Sequence, residues 1–219
     1  MKIKICGLSR TEDIEAVNRA LPDYIGFVFA KSKRQVTPQR AAELAAQLTP
    51  SIQKVGVFVN ERMEQILELA KSGVMDMIQL HGTETPDFVT ALKKQTSLPV
   101  IKAIRMDAAE RTVCRIKGAE VTMKGTGAMA AVIESYEAAG VDLFLFDNGP
   151  GGTGKSFEWS CIPQTRKPYL LAGGIDRDNA AAAAGASQAI ALDASSRVET
   201  DGRKDAEKIR QLVELVHSL

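Results

Sequence analysis

The sequence predicts an α/β fold, a single-domain (β/α)8 barrel of the TIM-barrel type that spans residues 1–219. Three observations lead to this prediction. Strand-like and helical patterns alternate at a spacing of roughly 25 residues, as in parallel βαβ units. The length accommodates eight such units in compact form. No linker rich in proline, glycine or serine divides the chain.

Eight short apolar runs are predicted to be strands: 2–6, 24–29, 53–59, 75–80, 99–104, 142–147, 168–172 and 188–193. Helical periodicity fills most of the gaps between them, at 11–20, 37–48, 61–72, 84–96, 126–139, 176–184 and 204–217. Thr11, Thr37 before Pro38, and Asp176 are helix-start signals. Segment 105–125 fits poorly and is interpreted as an extra short helix followed by a glycine-rich loop.

An open, doubly wound sheet is the structural alternative. Such folds often carry Gly-x-Gly-x-x-Gly after the first strand, and that pattern is missing here. The barrel is therefore favoured.

The composition excludes several classes of function. Lys plus Arg number 28 and Asp plus Glu 27, so the chain lacks the excess of basic residues that would indicate nucleic acid or an anionic membrane as a partner. The three cysteines are far apart, which argues against a disulfide scaffold or a zinc site. No signal peptide pattern or apolar run of about 18 residues is present. We expect a reduced, cytoplasmic protein.

Polar side chains are predicted to point into the barrel where four strands end. Residues alternate between the two faces of a strand, so the apolar partners of these side chains face the helices. Buried polar groups need a ligand, water or one another. The predicted inward groups are Lys4 and Cys6 (first strand), Gln79 and His81 (fourth), Asp147 (sixth) and Asp193 (eighth).

Cys6 and Asp147 form the pair best suited to catalysis. A thiolate can remove a proton from carbon, and a carboxylic acid can protonate a leaving oxygen, so the two would serve an isomerase without a cofactor. Alternatively, Cys6 is a small buried apolar residue and Asp147 caps a loop. We expect Lys4 or a helix end to lower the pKa of the thiol. Only two histidines, His81 and His217, are present, which excludes a histidine-rich metal site.

A phosphate site is predicted between the loops after the seventh and eighth strands. Gly173 and Gly174 allow close approach of the backbone to an anion, and Ser195 and Ser196 follow the next strand. Ordinary tight turns are the alternative. The glycine-rich run 151–156 departs from P-loop spacing, and we interpret it as a flexible lid.

Arg34 follows the second strand in a basic loop. Its guanidinium is either solvated or binds a carboxylate through two hydrogen bonds, and we expect its loop to lie away from the phosphate loops.

The chain resembles the phosphoribosylanthranilate isomerase family over nearly its full length. The matching motifs are Lys4-Ile5-Cys6-Gly7-Leu8, Gly26-Phe27-Val28-Phe29, Val55-Gly56-Val57-Phe58, Gln79-Leu80-His81-Gly82, Gly151-Gly152-Thr153-Gly154 with Trp159, Leu171-Ala172-Gly173-Gly174, and Lys204-Asp205. The resemblance implies a (β/α)8 barrel that performs an Amadori rearrangement of N-(5-phospho-ribosyl)anthranilate in tryptophan biosynthesis. It also implies a small phosphorylated substrate, no cofactor, and a monomer or homodimer.

The resemblance assigns the site residues as follows. Cys6 is the general base and Asp147 the general acid. Arg34 reads the anthranilate carboxylate. The phosphate site comprises Gly173, Gly174, Ser195 and Ser196. From their inward position at the strand ends, we further expect Gln79, His81 and Asp193 to contact the substrate.

Two positions depart from the family pattern. Lys33 replaces a proline before Arg34, and Arg197 replaces a glycine after the paired serines. Three rivals are weighed against this family. A histidine-pathway sugar isomerase would place an aspartate at the end of strand one, where Cys6 stands. A phosphate-binding protein without catalysis, or an interaction protein, would leave the inward acid and base unexplained.

Overall fold

In the computed structural model, residues 1–106, 112–116, 119–123, 126–147 and 162–219 are described. The strands in these ranges are β1 (Lys2–Cys6), β2 (Tyr24–Val28), β3 (Gln53–Phe58), β4 (Met77–Leu80), β5 (Val100–Arg105), β6 (Thr112–Ile116), β7 (Ala119–Met123), β8 (Leu143–Asp147), β9 (Tyr169–Leu171), β10 (Ala191–Ala194), β11 (Glu199–Thr200) and β12 (Arg203–Lys204). The helices are α1 (Thr11–Ala20), α2 (Pro38–Ala45), α3 (Met63–Lys71), α4 (Pro86–Lys93), α5 (Thr126–Ala138), α6 (Ala180–Ala186) and α7 (Ala206–Ser218).

Eight strands close into a parallel barrel in the order β1-β2-β3-β4-β5-β8-β9-β10, with β10 paired back to β1. These eight correspond to the eight predicted strands, so the predicted fold class is confirmed. The register places Lys4 of β1 beside Asp193 of β10, and Cys6 beside Gly26 of β2. The carboxyl ends of the strands therefore gather at one mouth of the barrel.

Two apolar layers stabilise the barrel. Between the strands and the helices, side chains such as Ile3, Ile5 and Phe144 are fully buried. A second layer fills the barrel interior and includes Val55, Val57, Ile101, Leu145 and Leu170. The two-residue periodicity of the strands thus separates the layers as predicted.

Local signals place the start of α2 but not that of α6. The Thr37 hydroxyl accepts a hydrogen bond from the Arg40 amide at 3.1 Å, and Pro38 occupies the first turn of α2. The helix predicted to open at Asp176 begins only at Ala180. The Asp176 carboxylate instead accepts amide hydrogen bonds from Asp178 and Asn179, and so forms a turn before the helix.

The prediction of an extra short helix in segment 105–125 is wrong. The segment contains β6 and β7, which pair in antiparallel fashion. Thr112, Val113, Ile116, Val121 and Thr122 are β-branched, and such residues favour extended backbone. The glycine-rich run 151–156 lies outside the described residues.

Candidate active site

A pocket of about 270 Å³ opens at the carboxyl ends of the barrel strands. The ten residues predicted for the site all line it: Cys6, Arg34, Gln79, His81, Asp147, Gly173, Gly174, Asp193, Ser195 and Ser196. They come from β1, β4, β8, β10 and the loops that follow the strands. The structure thus brings together what the sequence distributes over about 190 positions, while the role of each residue stays a prediction.

Cys6 and Asp193 line the pocket, and together with the buried Lys4 they form a cluster of titratable side chains at its base. Lys4 is 0% exposed, and its Nζ lies 3.0 Å from Asp193 Oδ1. Burial opposes the charge of Lys4, but interactions with Asp193 and Cys6 raise its pKa. Burial also raises the pKa of Asp193, and Lys4 offsets part of that rise. The ammonium group is therefore held charged beside the thiol.

The expectation that the thiol pKa is lowered is wrong. Burial raises the pKa of Cys6 above its ordinary value, and Lys4 offsets only part of that rise. Asp193 acts in the same direction as burial because its negative charge opposes a thiolate. The sequence indicates the positive neighbour correctly, but it does not show that the thiol is buried and faces an anion as well.

Asp147 and His81 approach each other across the pocket. His81 Nε2 lies 3.4 Å from Asp147 Oδ2, and His81 Nδ1 lies 2.8 Å from Gln79 Nε2. The Gln79 amide nitrogen donates to Nδ1 when the imidazole carries its proton on Nε2, which faces Asp147. Gln79 Oε1 is buried and has no hydrogen-bond partner within the described residues.

The loop that carries His81 is held by a buried ion pair on the helix side of the barrel. Lys102 Nζ donates to Glu84 Oε2 at 2.8 Å and to the Gly82 carbonyl at 2.7 Å. Glu84 in turn accepts the amide hydrogen of Asn60 at 2.8 Å. The loops after β3 and β4 are thereby joined to β5, which limits the movement of His81.

The predicted phosphate side of the pocket presents backbone amides. Gly173 and Gly174 have φ values of +94° and +75°, which L side chains rarely adopt. Neither amide donates a hydrogen bond within the described part of the chain. The Ser195 hydroxyl donates to the Cys6 carbonyl at 3.1 Å, so the two strand ends are linked. Arg197 lies nearby, with Nε 3.7 Å from Asp176 Oδ2.

The Arg34 side chain pairs with Glu199, which follows β10, the eighth strand of the barrel. Its Nε and Nη2 donate to the two carboxylate oxygens of Glu199 at 2.6 and 2.8 Å. The long side chain of Arg34 passes the end of β1 to reach Glu199, which comes shortly after Ser195 and Ser196 in the chain. Gly7, at φ +85°, makes room for it, since a Cβ there would lie 2.4 Å from Arg34 Cδ.

Sequence reasoning misses Arg105, Glu199 and Lys204. Arg105 lines the pocket from the last position of β5, two residues beyond the inward Ala103. The predicted strand ends at residue 104, so the alternation that turns Arg105 inward is not extended to it. Lys204 Nζ contacts Glu199 Oε1 at 2.7 Å and the Ser195 carbonyl at 2.8 Å. No local pattern reveals the contact of Glu199 with Arg34, which lies 165 positions away.

No group of three or more His, Cys, Asp or Glu side chains that could hold a metal occurs in the described ranges. Within the same ranges, no helix is both long enough and apolar enough to cross a membrane.

A closed parallel barrel with a polar pocket at the carboxyl ends of its strands defines this protein as a (β/α)8-barrel enzyme. The family model for N-(5'-phosphoribosyl)anthranilate isomerase matches residues 3–215. The chain belongs to this family.

Individual relatives agree with the family match. An N-(5'-phosphoribosyl)anthranilate isomerase of Clostridium acetobutylicum is 39% identical over 221 residues, which cover 97% of this chain and 96% of the relative. A solved isomerase in complex with reduced 1-(o-carboxyphenylamino)-1-deoxyribulose 5-phosphate is 28% identical with a TM-score of 0.77, at full coverage of both chains. A structure of monomers generated from the dimeric isomerase of Thermotoga maritima is 28% identical with a TM-score of 0.78, also at full coverage of both chains.

Proposed function

We propose that this protein converts N-(5-phospho-β-D-ribosyl)anthranilate to 1-(2-carboxyphenylamino)-1-deoxy-D-ribulose 5-phosphate, a step of L-tryptophan biosynthesis. Cys6 is the general base and Asp147 the general acid. The observation that carries the proposal is that these side chains, from β1 and β8, line one pocket of about 270 Å³. The family match supports the choice of substrate, as does the reduced deoxyribulose phosphate in the complex of a solved relative.

The proposed reaction begins at the ribose ring oxygen. Protonated Asp147 donates its proton to that oxygen, the bond to carbon one breaks, and the nitrogen lone pair forms an iminium. Cys6, as thiolate, then removes the proton from carbon two, which gives a neutral enolamine. Tautomerisation of the enolamine delivers a proton to carbon one and leaves the ketone at carbon two. Each proton transfer is worth about 100- to 10,000-fold in rate.

The charged neighbours of Cys6 suit this order of events. Burial keeps the thiol protonated before substrate binds. Lys4, a buried cation on the same strand, partly opposes this effect. The iminium adds a second positive charge next to the thiol once the ring has opened. Because opposite charge favours a thiolate, the base becomes strongest when the substrate needs it.

The other predicted residues hold the ends of the substrate. The Gly173 and Gly174 amides, with Ser195 and Ser196, bind the phosphate, since amides at positive φ form a concave anion site. Arg34 binds the anthranilate carboxylate at the other end. Three further side chains contact the sugar from the pocket floor and wall: Gln79, His81 and Asp193.

The remaining features of the proposal concern the whole protein. We propose a single-domain, cytoplasmic enzyme that needs no cofactor or metal and has no nucleic acid or membrane partner. It is a monomer or a homodimer, and the Thermotoga maritima relative, which is dimeric before its conversion to monomers, supports the second state.

Turnover of the fluorescent anthranilate adduct by purified protein tests the function. We expect loss of adduct fluorescence with the wild type, and a fall in kcat of about 100-fold or more for Cys6→Ser and for Asp147→Asn. Substrate binding should change little in either variant. Circular dichroism confirms that the variants fold. An inactive wild type would refute the function, and a variant with near-wild-type turnover would refute that residue's role.

A further inference from the structure

The Arg34 guanidinium is already held by an internal carboxylate. Glu199 accepts hydrogen bonds from Nε and Nη2, and so occupies the side edge of the planar group. A guanidinium carries five N–H donors, so three remain, on Nη1 and Nη2. Those three have no partner among the described residues. Two of them, one on Nη1 and one on Nη2, form the edge of the group opposite the side chain.

We propose that Glu199 is a positioning residue, which orients Arg34 so that this end edge receives the substrate carboxylate. The inference rests on the proposed function, because it needs a carboxylate-bearing substrate in the pocket. Arg34 lines that pocket together with Cys6 and Asp147. A bidentate contact depends on geometry as well as charge, so an arginine held in one orientation binds better than a mobile one.

Glu199 is itself firmly held. It begins β11, which pairs with β12 so that Glu199 lies opposite Lys204. Lys204 Nζ, with its side chain only 1% exposed, donates to Glu199 at 2.7 Å and to the Ser195 carbonyl at 2.8 Å. One carboxylate therefore connects the arginine after β2 to the loop that carries the predicted phosphate site.

The charges of this cluster favour a second anion. Arg34 and Lys204 contribute two positive charges and Glu199 one negative charge, so the cluster keeps a net positive charge. Burial opposes the Glu199 charge, but hydrogen bonds from Arg34 and Lys204 lower its pKa to about 2. Glu199 is therefore ionised at every pH of an enzyme assay, and the substrate carboxylate meets a guanidinium with donors to spare.

Glu199→Gln keeps the size of the side chain but removes its charge and one of its two acceptor oxygens. With the anthranilate adduct we expect KM to rise about tenfold while kcat stays within about threefold. With the corresponding aniline adduct, which lacks the carboxylate, the KM of Glu199→Gln should equal the KM of the wild type for the same adduct. On an Arg34→Ala background the substitution should add nothing, because the group it orients is gone.

Two further variants keep the test decisive. Glu199→Asp preserves the charge that Lys204 needs but shortens the reach to Arg34, so it should raise KM for the anthranilate adduct alone even if Glu199→Gln folds poorly. Glu207→Gln is the matched control. Glu207 pairs with Arg210 on α7 and its pKa is also about 2, but the pair is exposed and neither residue lines the pocket. Both kinetic constants of this control should be unchanged.

The outcomes separate the two proposals. An unchanged KM in Glu199→Gln and Glu199→Asp, an equal rise with both adducts, or a further rise on the Arg34→Ala background would overturn the positioning role. Each of these results would leave the isomerase activity of the wild type intact. A wild type that turns over neither adduct would overturn the proposed function and the positioning role together.

Discussion

Gly7→Ala tests how the pocket makes room for Arg34. The new Cβ would lie 2.4 Å from Arg34 Cδ, closer than real Cβ contacts. Because the obstructing atom belongs to a flexible side chain, the arginine should move aside and the backbone should stay. Displacement breaks its alignment with Glu199 and with the substrate carboxylate. We expect KM to rise about tenfold, or about 1.4 kcal/mol of binding free energy.

The same substitution also has a cost for the backbone. Gly7 adopts φ +85°, where an L side chain costs about 1–2 kcal/mol. Gly73→Ala is the matched control, because Gly73 has φ +74° and its Cβ would meet nothing within 4 Å. Both variants should lose free energy of unfolding in urea titrations through the backbone cost, and Gly7→Ala should lose more because it also disturbs the pair between Arg34 and Glu199. Only Gly7→Ala should raise KM for the anthranilate adduct, and equal KM values in the two variants would refute the reasoning.

Three further predictions concern pH and phosphate. The pKa of Glu199 is about 2, below its unfolded value near 4.5, so its stabilisation of about 1–2 kcal/mol is present above pH 4.5 and is lost as the pH falls toward 2; the urea stabilities of wild type and Glu199→Gln should converge over that range. Gly174→Val should raise KM at least about tenfold and weaken competition by inorganic phosphate, whereas Arg197→Gly should be tolerated, as steady-state kinetics would show. Because the pKa of the Cys6 thiol is raised, the pKa on the basic side of the pH profile of kcat/KM should lie above the ordinary thiol range. A basic-side pKa equal to that of an ordinary thiol would contradict the burial argument.

The barrel is predictable from the sequence because its signals are local. Two-residue alternation in β1 and β10 is enough to turn Cys6 and Asp193 inward, and the shared direction of parallel strands then brings them to one end. The predicted helix 11–20 and strand 2–6 match α1 and β1 residue for residue. Such elements carry both their periodicity and their boundaries in the sequence.

The missed features depend on contacts between distant segments. Glu199 meets Arg34 only because β11 and β12 turn the chain back toward the pocket, and two-residue strands leave little periodicity to detect. The raised thiol pKa depends on burial and on the distance of Cys6 from both Lys4 and Asp193, which only the folded barrel sets. The prediction for segment 105–125 is wrong for a different reason. Its β-branched residues are visible in the sequence and favour strands, but the segment is assigned to a helix.

The proton transfers assigned to Cys6 and Asp147 are tested most directly by a kinetic isotope effect with substrate deuterated at ribose carbon two. Weakening the base in Cys6→Ser should make cleavage of that C–H bond rate-limiting and enlarge the effect on kcat. Weakening the acid in Asp147→Asn should make ring opening rate-limiting, so the effect should fall toward unity. The opposite pattern, with a larger effect in Asp147→Asn than in Cys6→Ser, would contradict the assignment of base and acid.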